Sequence, residues 1–223
     1  MRAIRLLFAR SSASKRARKL FVPNLSERER FRRLQQLSDG PYVALTILTA
    51  RRFLRDFPEH GPAWLLLGIA LVEAARYEEA EQALAKSLNF VPQSRRQLPL
   101  WHLGHLFKGS GDYDRAAEYY REAIAACPED ATGYIFLGGV LARGGRLHEA
   151  EQAHRAATQC VEGCIDEAYL NLGNVLRALE RFEEAAECYR EAIRLDPEYT
   201  VAKKALRDCT RCIPIKSLRR KQR

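Results

Sequence analysis

Tyr169-Leu170-Asn171-Leu172-Gly173, with Ala185 twelve residues beyond its glycine, decides how this chain folds, because the same spacing occurs three more times. Trp64-x-x-Leu67-Gly68 precedes Ala80, Leu100-x-x-Leu103-Gly104 precedes Ala116, and Tyr134-x-x-Leu137-Gly138 precedes Ala150. Glycine and alanine markers both step by 36, 34 and 35 residues. The register inside each unit is therefore fixed, and the spare residues must fall in loops between units. A period near 34 residues predicts stacked helical hairpins.

Each unit divides into two halves whose apolar residues recur at helical spacing: Trp64, Leu67 and Leu71, then Tyr77, Ala80, Leu84 and Leu88. One such hairpin cannot bury both faces alone. Gly68, Gly104, Gly138 and Gly173 are placed opposite Ala80, Ala116, Ala150 and Ala185, since small side chains let two helices approach closely. Pro92, Pro128 and Pro197 terminate three of the second helices.

These residues resemble the tetratricopeptide repeat (TPR) family, strongly over residues 61–199. Tyr113, Tyr120, Phe182 and Tyr189 stand in the family's aromatic slots. The third repeat departs, with His154 in one slot and Glu162 in place of proline, so its exit loop is expected to be looser.

Residues 27–60 read as a degenerate hairpin, opened by the capping box Ser26-x-x-Glu29 and broken at Asp39-Gly40-Pro41. Leu34 replaces the glycine there, which predicts a wider helix pair. Residues 200–212 read as a capping helix, with Val201, Ala205 and Leu206 on one face. The expectation is an all-α solenoid of about eleven helices in one array, flanked by basic arms over residues 1–26 and 213–223.

The net charge of +9 belongs to the ends. Residues 1–26 carry +7 and residues 201–223 carry +8, so the body between them is acidic at −6. Basic ends suit solvated tails or contact with nucleic acid, ribosomes or an anionic surface. Neither has the interleaved aromatics of a base-stacking surface. Residues 1–19 are rich in Arg and Ser and lack acids, which suits a mitochondrial presequence as an alternative to a cytoplasmic protein. The longest apolar stretch, Ala63 to Val72, is too short to span a bilayer.

The six cysteines include Cys160-x-x-x-Cys164 and Cys209-x-x-Cys212, pairs whose separation along the stack argues against a shared zinc site or a disulfide framework. His102 and His105 share a helix face, but two imidazoles without a third ligand make no metal or catalytic centre. No phosphate loop, nucleophile elbow or Ser-His-Asp pattern is present. The reading is a non-enzymatic chain with no catalytic residues and no cofactor.

The resemblance implies that function lies on a concave face lined by the first helix of each hairpin. Carried over by position, it comprises Leu65, Leu66, Ile69 and Val72; Trp101, His102, His105 and Lys108; Ile135, Phe136, Gly139 and Arg143; and Leu170, Asn171, Asn174 and Arg177. The face is aliphatic and aromatic first, then ends on two amides and a guanidinium able to hold a peptide backbone and an acidic group. Leu66, His102 and Phe136 replace the asparagine ladder found in TPR regions resembling those of O-linked N-acetylglucosamine transferases. The carboxylate clamp of chaperone-binding TPR proteins is not reproduced. The function implied is an interaction scaffold taking a peptide, with two alternatives: self-association through the same stripe, and nucleic-acid or ribosome binding through the basic ends.

Overall fold

The computed structural model describes residues 25–221. Eleven α-helices occur among them: α1 (Glu27–Ser38), α2 (Val43–Asp56), α3 (Gly61–Glu73), α4 (Tyr77–Phe90), α5 (Gln97–Ser110), α6 (Tyr113–Ala126), α7 (Ala131–Arg143), α8 (Leu147–Ala157), α9 (Ile165–Ala178), α10 (Phe182–Leu195) and α11 (Thr200–Lys221). A 3₁₀ turn, Gln93–Arg95, takes up the spare residues that make the first repeat step 36 long. The fold is all-α. It divides into two compact units, the first ending at Val91 and the second beginning at Pro92, where the sequence alone suggests one array. Residues 1–24 of the basic arm expected over 1–26, and residues 222–223 of the C-terminal arm, lie outside the described residues.

The first unit contains α1 to α4. Ser26 caps α1: its backbone N–H donates to Glu29 Oε2 at 3.0 Å while the Glu29 N–H donates to Ser26 Oγ at 3.4 Å. Leu34, Ile47, Phe53, Leu67, Leu71 and Ala80 meet in one buried cluster, so the degenerate hairpin shares a core with the first full repeat.

The second unit contains α5 to α11, three full repeats and the terminal helix. Phe107, Tyr120, Leu137, Leu141, Leu172 and Tyr189 are buried along it. Ala202 and Cys209 of α11 pack with Leu172, Leu176 and Tyr189, and Cys209 donates its S–H to the Phe182 carbonyl at 3.2 Å. The backbone of α11 continues past Cys212, where the sequence pattern ended, through Pro214 to Lys221.

The turn inside every full repeat is built alike. Ala75, Gly111, Gly145 and Glu180 all have positive φ, at 56°, 84°, 78° and 59°. Each following N–H reaches back to close the first helix: Arg76 to Leu71 O, Asp112 to Phe107 O, Arg146 to Leu141 O and Arg181 to Leu176 O, at 2.8–3.0 Å. Alanine in that conformation costs roughly 1–2 kcal/mol, against about 0.5–1 kcal/mol of extra entropy lost by glycine. Ala75→Gly should therefore raise the stability of the first unit by about 0.5–1 kcal/mol, read as a higher urea midpoint. An unchanged or lower midpoint would show that the turn carries no strain.

Two expectations change. The nearest atoms to a Cβ placed on Gly68, Gly104, Gly138 or Gly173 belong to Leu84, Tyr120, His154 and Tyr189, one turn beyond the alanines, at 2.4–2.7 Å. The glycines make room for these large side chains rather than facing the small ones. The exit of the third repeat is pinned, not loose: Ala131 N–H donates to Glu162 O at 3.0 Å, and Glu162 N–H donates to Glu129 O at 3.2 Å. A proline at 162 would have no N–H to give, so the departure from the family pattern is what permits this bridge.

Candidate functional site

The first helices of the second unit, α5, α7 and α9, place the expected residues on their faces by helical spacing. Trp101, His105 and Lys108 follow one another at i, i+4 and i+7 on α5; Phe136, Gly139 and Arg143 follow at i, i+3 and i+7 on α7. Packing brings the aromatic ends together. The Phe136 ring lies 4.5 Å from His105, 5.5 Å from Tyr120 and 5.9 Å from Trp101, centroid to centroid, and His102 lies 6.5 Å from His105. Trp101, His102, His105 and Phe136 are half-buried, so they form a semi-exposed floor rather than a closed core.

The floor is fixed from beneath. The Tyr120 hydroxyl and His105 Nδ1 share a hydrogen bond of 2.8 Å, and the Tyr189 hydroxyl donates to Asn174 Oδ1 at 3.0 Å, the same fifteen-residue offset in both repeats. In the third repeat both partners differ: His154 lies against Gly138, and its Nδ1 is buried without a partner. Beside it Gly139 leaves open space above the helix. The Trp101 indole N–H is also buried without an acceptor.

Burial sets the charge of these groups. It lowers His102, takes His105 down to about 4 with help from Lys108 and His102, and takes His154 to about 4. The imidazoles are neutral at pH 7. Burial raises Tyr120 and brings Tyr189 to about 12, the latter against a lowering by Arg177. Lys108 is lowered by burial and then by a second cation, Arg143.

Not every expected residue is available. Ile135 and Leu170 are buried, packed in the clusters of α7, α8 and α9 and of α9, α10 and α11. Asn171 is half-buried, and Arg143 and Arg177 are exposed. Leu65, Leu66 and Ile69 belong to the first unit, where each is half-buried and Leu66 and Val72 pack on its core. Sequence reasoning missed the opposite face. Arg76, Arg146 and Arg181, each just before a second helix, pair with Glu79, Glu149 and Glu184 three residues on. Arg146 and Arg181 also reach Asp114 and Glu151 of the preceding repeat, at 3.2 and 2.8 Å. The recurring Arg-x-x-Glu was the available signal.

Among the described residues no three His, Cys, Asp or Glu side chains converge as a metal site would require. No helix described is long and apolar enough to cross a membrane.

Comparison with known proteins agrees with this architecture. Tetratricopeptide repeat models match residues 47–95, 103–163 and 166–199, and the chain belongs to that family. It is 27% identical over 124 residues to the human protein O-mannosyl-transferase TMTC3, covering 49% of this chain but 14% of that enzyme. YrrB, described as a TPR protein with an unusual peptide-binding site, superposes with a TM-score of 0.60 at 22% identity, over 77% of this chain and 87% of its own. The first TPR of Spaghetti (RPAP3), bound to the HSP90 peptide SRMEEVD, gives 0.50 at 24% identity, over 54% and 95%. The repeats define a protein-interaction scaffold.

Proposed function

We propose that the chain is a non-enzymatic adaptor that holds a peptide segment of another protein on the α5–α7–α9 face. The observation that carries this reading is the half-buried ring cluster of Trp101, His105 and Phe136, a pre-positioned apolar anchor on a face open to a ligand. Peptide binding by YrrB and by the Spaghetti repeat supports it by likeness of fold. Asn171, Asn174 and Arg177 supply amide and guanidinium donors at the far end of the same face. A cytoplasmic compartment is the companion reading; the mitochondrial alternative rests on the N-terminal arm, outside the described residues.

Phe136→Ala and Trp101→Ala should each weaken a captured partner peptide by about 1–3 kcal/mol in calorimetric titration, with smaller changes in melting temperature. Combined alanine substitution of Asn171, Asn174 and Arg177 should weaken chiefly ligands carrying an acidic group there. Loss of stability or of self-association with peptide affinity intact would assign the rings to packing or to a dimer interface instead.

A further inference from the structure

Charge is sorted between the two faces of the second unit. The ion pairs of Arg146, Arg155, Arg181 and Arg194 all lie with the second helices α6, α8 and α10. The first helices are different: α5 and α7 contain no acidic residue, and those of α9, Asp166 and Glu167, sit in its first turn. Lys108 and Arg143 stand in the last turns of α5 and α7 with no carboxylate paired to either among the described residues. A helix C-terminus favours one cation by its dipole. It does not favour bringing cations of two helices together, and Lys108 is half-buried with Arg143 as the charge that acts on it.

The geometry is regular. Lys108 is seven residues from Trp101, and Arg143 is seven from Phe136, so the cation pair lies about 10.5 Å along the helices from the aromatic pair. Between them Gly139 presents no side chain, and a chain can lie close to the helix there. Beyond the cations, Gly109, Gly144 and Gly145 are exposed and carry no side chain, which leaves room for a chain to run on. An extended polyproline-II segment turns once in three residues and advances about 9 Å, which puts residues i and i+3 on one side at close to the required spacing.

Resting on the adaptor reading above, we infer that the α5–α7 face recognises an extended internal segment carrying an apolar residue three positions from an Asp or Glu. The apolar side chain rests on Trp101 and Phe136, and the carboxylate sits between Lys108 and Arg143. A bound carboxylate relieves the repulsion between two cations that the free protein leaves uncompensated. The exposed glycines beyond Lys108 and Arg143 leave room for the chain to continue, so the acid can be internal.

The test uses the full chain and synthetic proline-rich peptides, acetylated and amidated, with Leu and Glu three apart in both orders, and matched peptides with Gln for Glu. At low salt one Glu order should bind about tenfold more tightly than its Gln counterpart, and 1 M salt should remove the difference. In K108Q/R143Q, with Lys108 half-buried and Arg143 exposed, the Glu preference should disappear while the melting temperature holds or rises, since removing both cations removes their repulsion. In W101A/F136A affinity should fall for the Glu and Gln peptides alike. Equal binding of Glu and Gln peptides overturns the acidic-segment inference and leaves the adaptor reading standing. So does tighter binding that appears only when the peptide C-terminus is a free carboxylate. No binding of any peptide at millimolar concentration overturns both.

Discussion

Gly104→Leu should destabilise the second unit by about 3 kcal/mol, the upper end of overpacking costs. A Cβ at Gly104 would stand 2.4 Å from Tyr120 Cε1, and the ring behind it is fully buried with no free side to retreat to. Displacing Tyr120 also breaks its 2.8 Å hydrogen bond to His105 and moves the floor on which Phe136 rests. Gly139→Ala is the control, because nothing lies within 4 Å of a Cβ there and alanine favours the helix by about 1 kcal/mol. Urea denaturation of the two variants should separate in opposite directions. Equal midpoints would mean that the close approach of α5 and α6 does not hold the repeat together.

Acid should unfold the protein earlier than its carboxylates alone would dictate. His154 is neutral in the fold, with burial taking it from an ordinary 6.5 to about 4. Between those values the unfolded chain binds the proton and the folded chain does not. The contribution of His154 is thus complete above pH 6.5 and lost as pH falls towards 4, up to about 3 kcal/mol at full effect. His105, lowered to about 4 by burial, Lys108 and His102, adds in the same direction. Glu149 and Glu184, held low by hydrogen bonds from Arg146 and Arg181, lose their partners' support only in the carboxylate range, so the two windows can be told apart. His154→Tyr should lessen the fall in stability between pH 6.5 and 4.5 in chemical denaturation by roughly half, leaving the part due to His105. An unaltered slope would place the titrating group elsewhere.

The hairpins are legible because helix packing leaves a periodic mark: glycine where a large side chain crosses, alanine where helices touch. What the glycine faces was not legible, since Ala116 at twelve and Tyr120 at sixteen residues both lie on the inner side of the second helix, and only the packed pair shows which fills the space. The αL turn was hidden for a related reason. Gly111 and Gly145 announce it, whereas Ala75 and Glu180 adopt the same conformation without a residue type that signals it. Of the proposed face, Trp101, His102, His105 and Phe136 were placed by repeat position and do meet. Ile135 and Leu170 occupy the register that Trp101 holds in its own repeat, yet both are buried in the core clusters while the larger indole is half-exposed, so repeat position alone does not say which of the three reaches the floor. The link at Glu162 depends on two backbone segments far apart in sequence, which no local pattern encodes.

A peptide lying over Trp101 and Phe136 must change the surroundings of the indole. The chain has two tryptophans, Trp64 and Trp101, so Trp64→Phe leaves Trp101 as the sole indole reporter. Titrating a captured partner peptide into that variant should shift Trp101 emission along a saturable isotherm matching the calorimetric one, and adding Phe136→Ala should move both curves to about tenfold or more higher peptide concentration. Calorimetric binding with Trp101 emission unchanged and affinity unaffected by Phe136→Ala would place the peptide elsewhere on the protein and remove the ring cluster as its anchor.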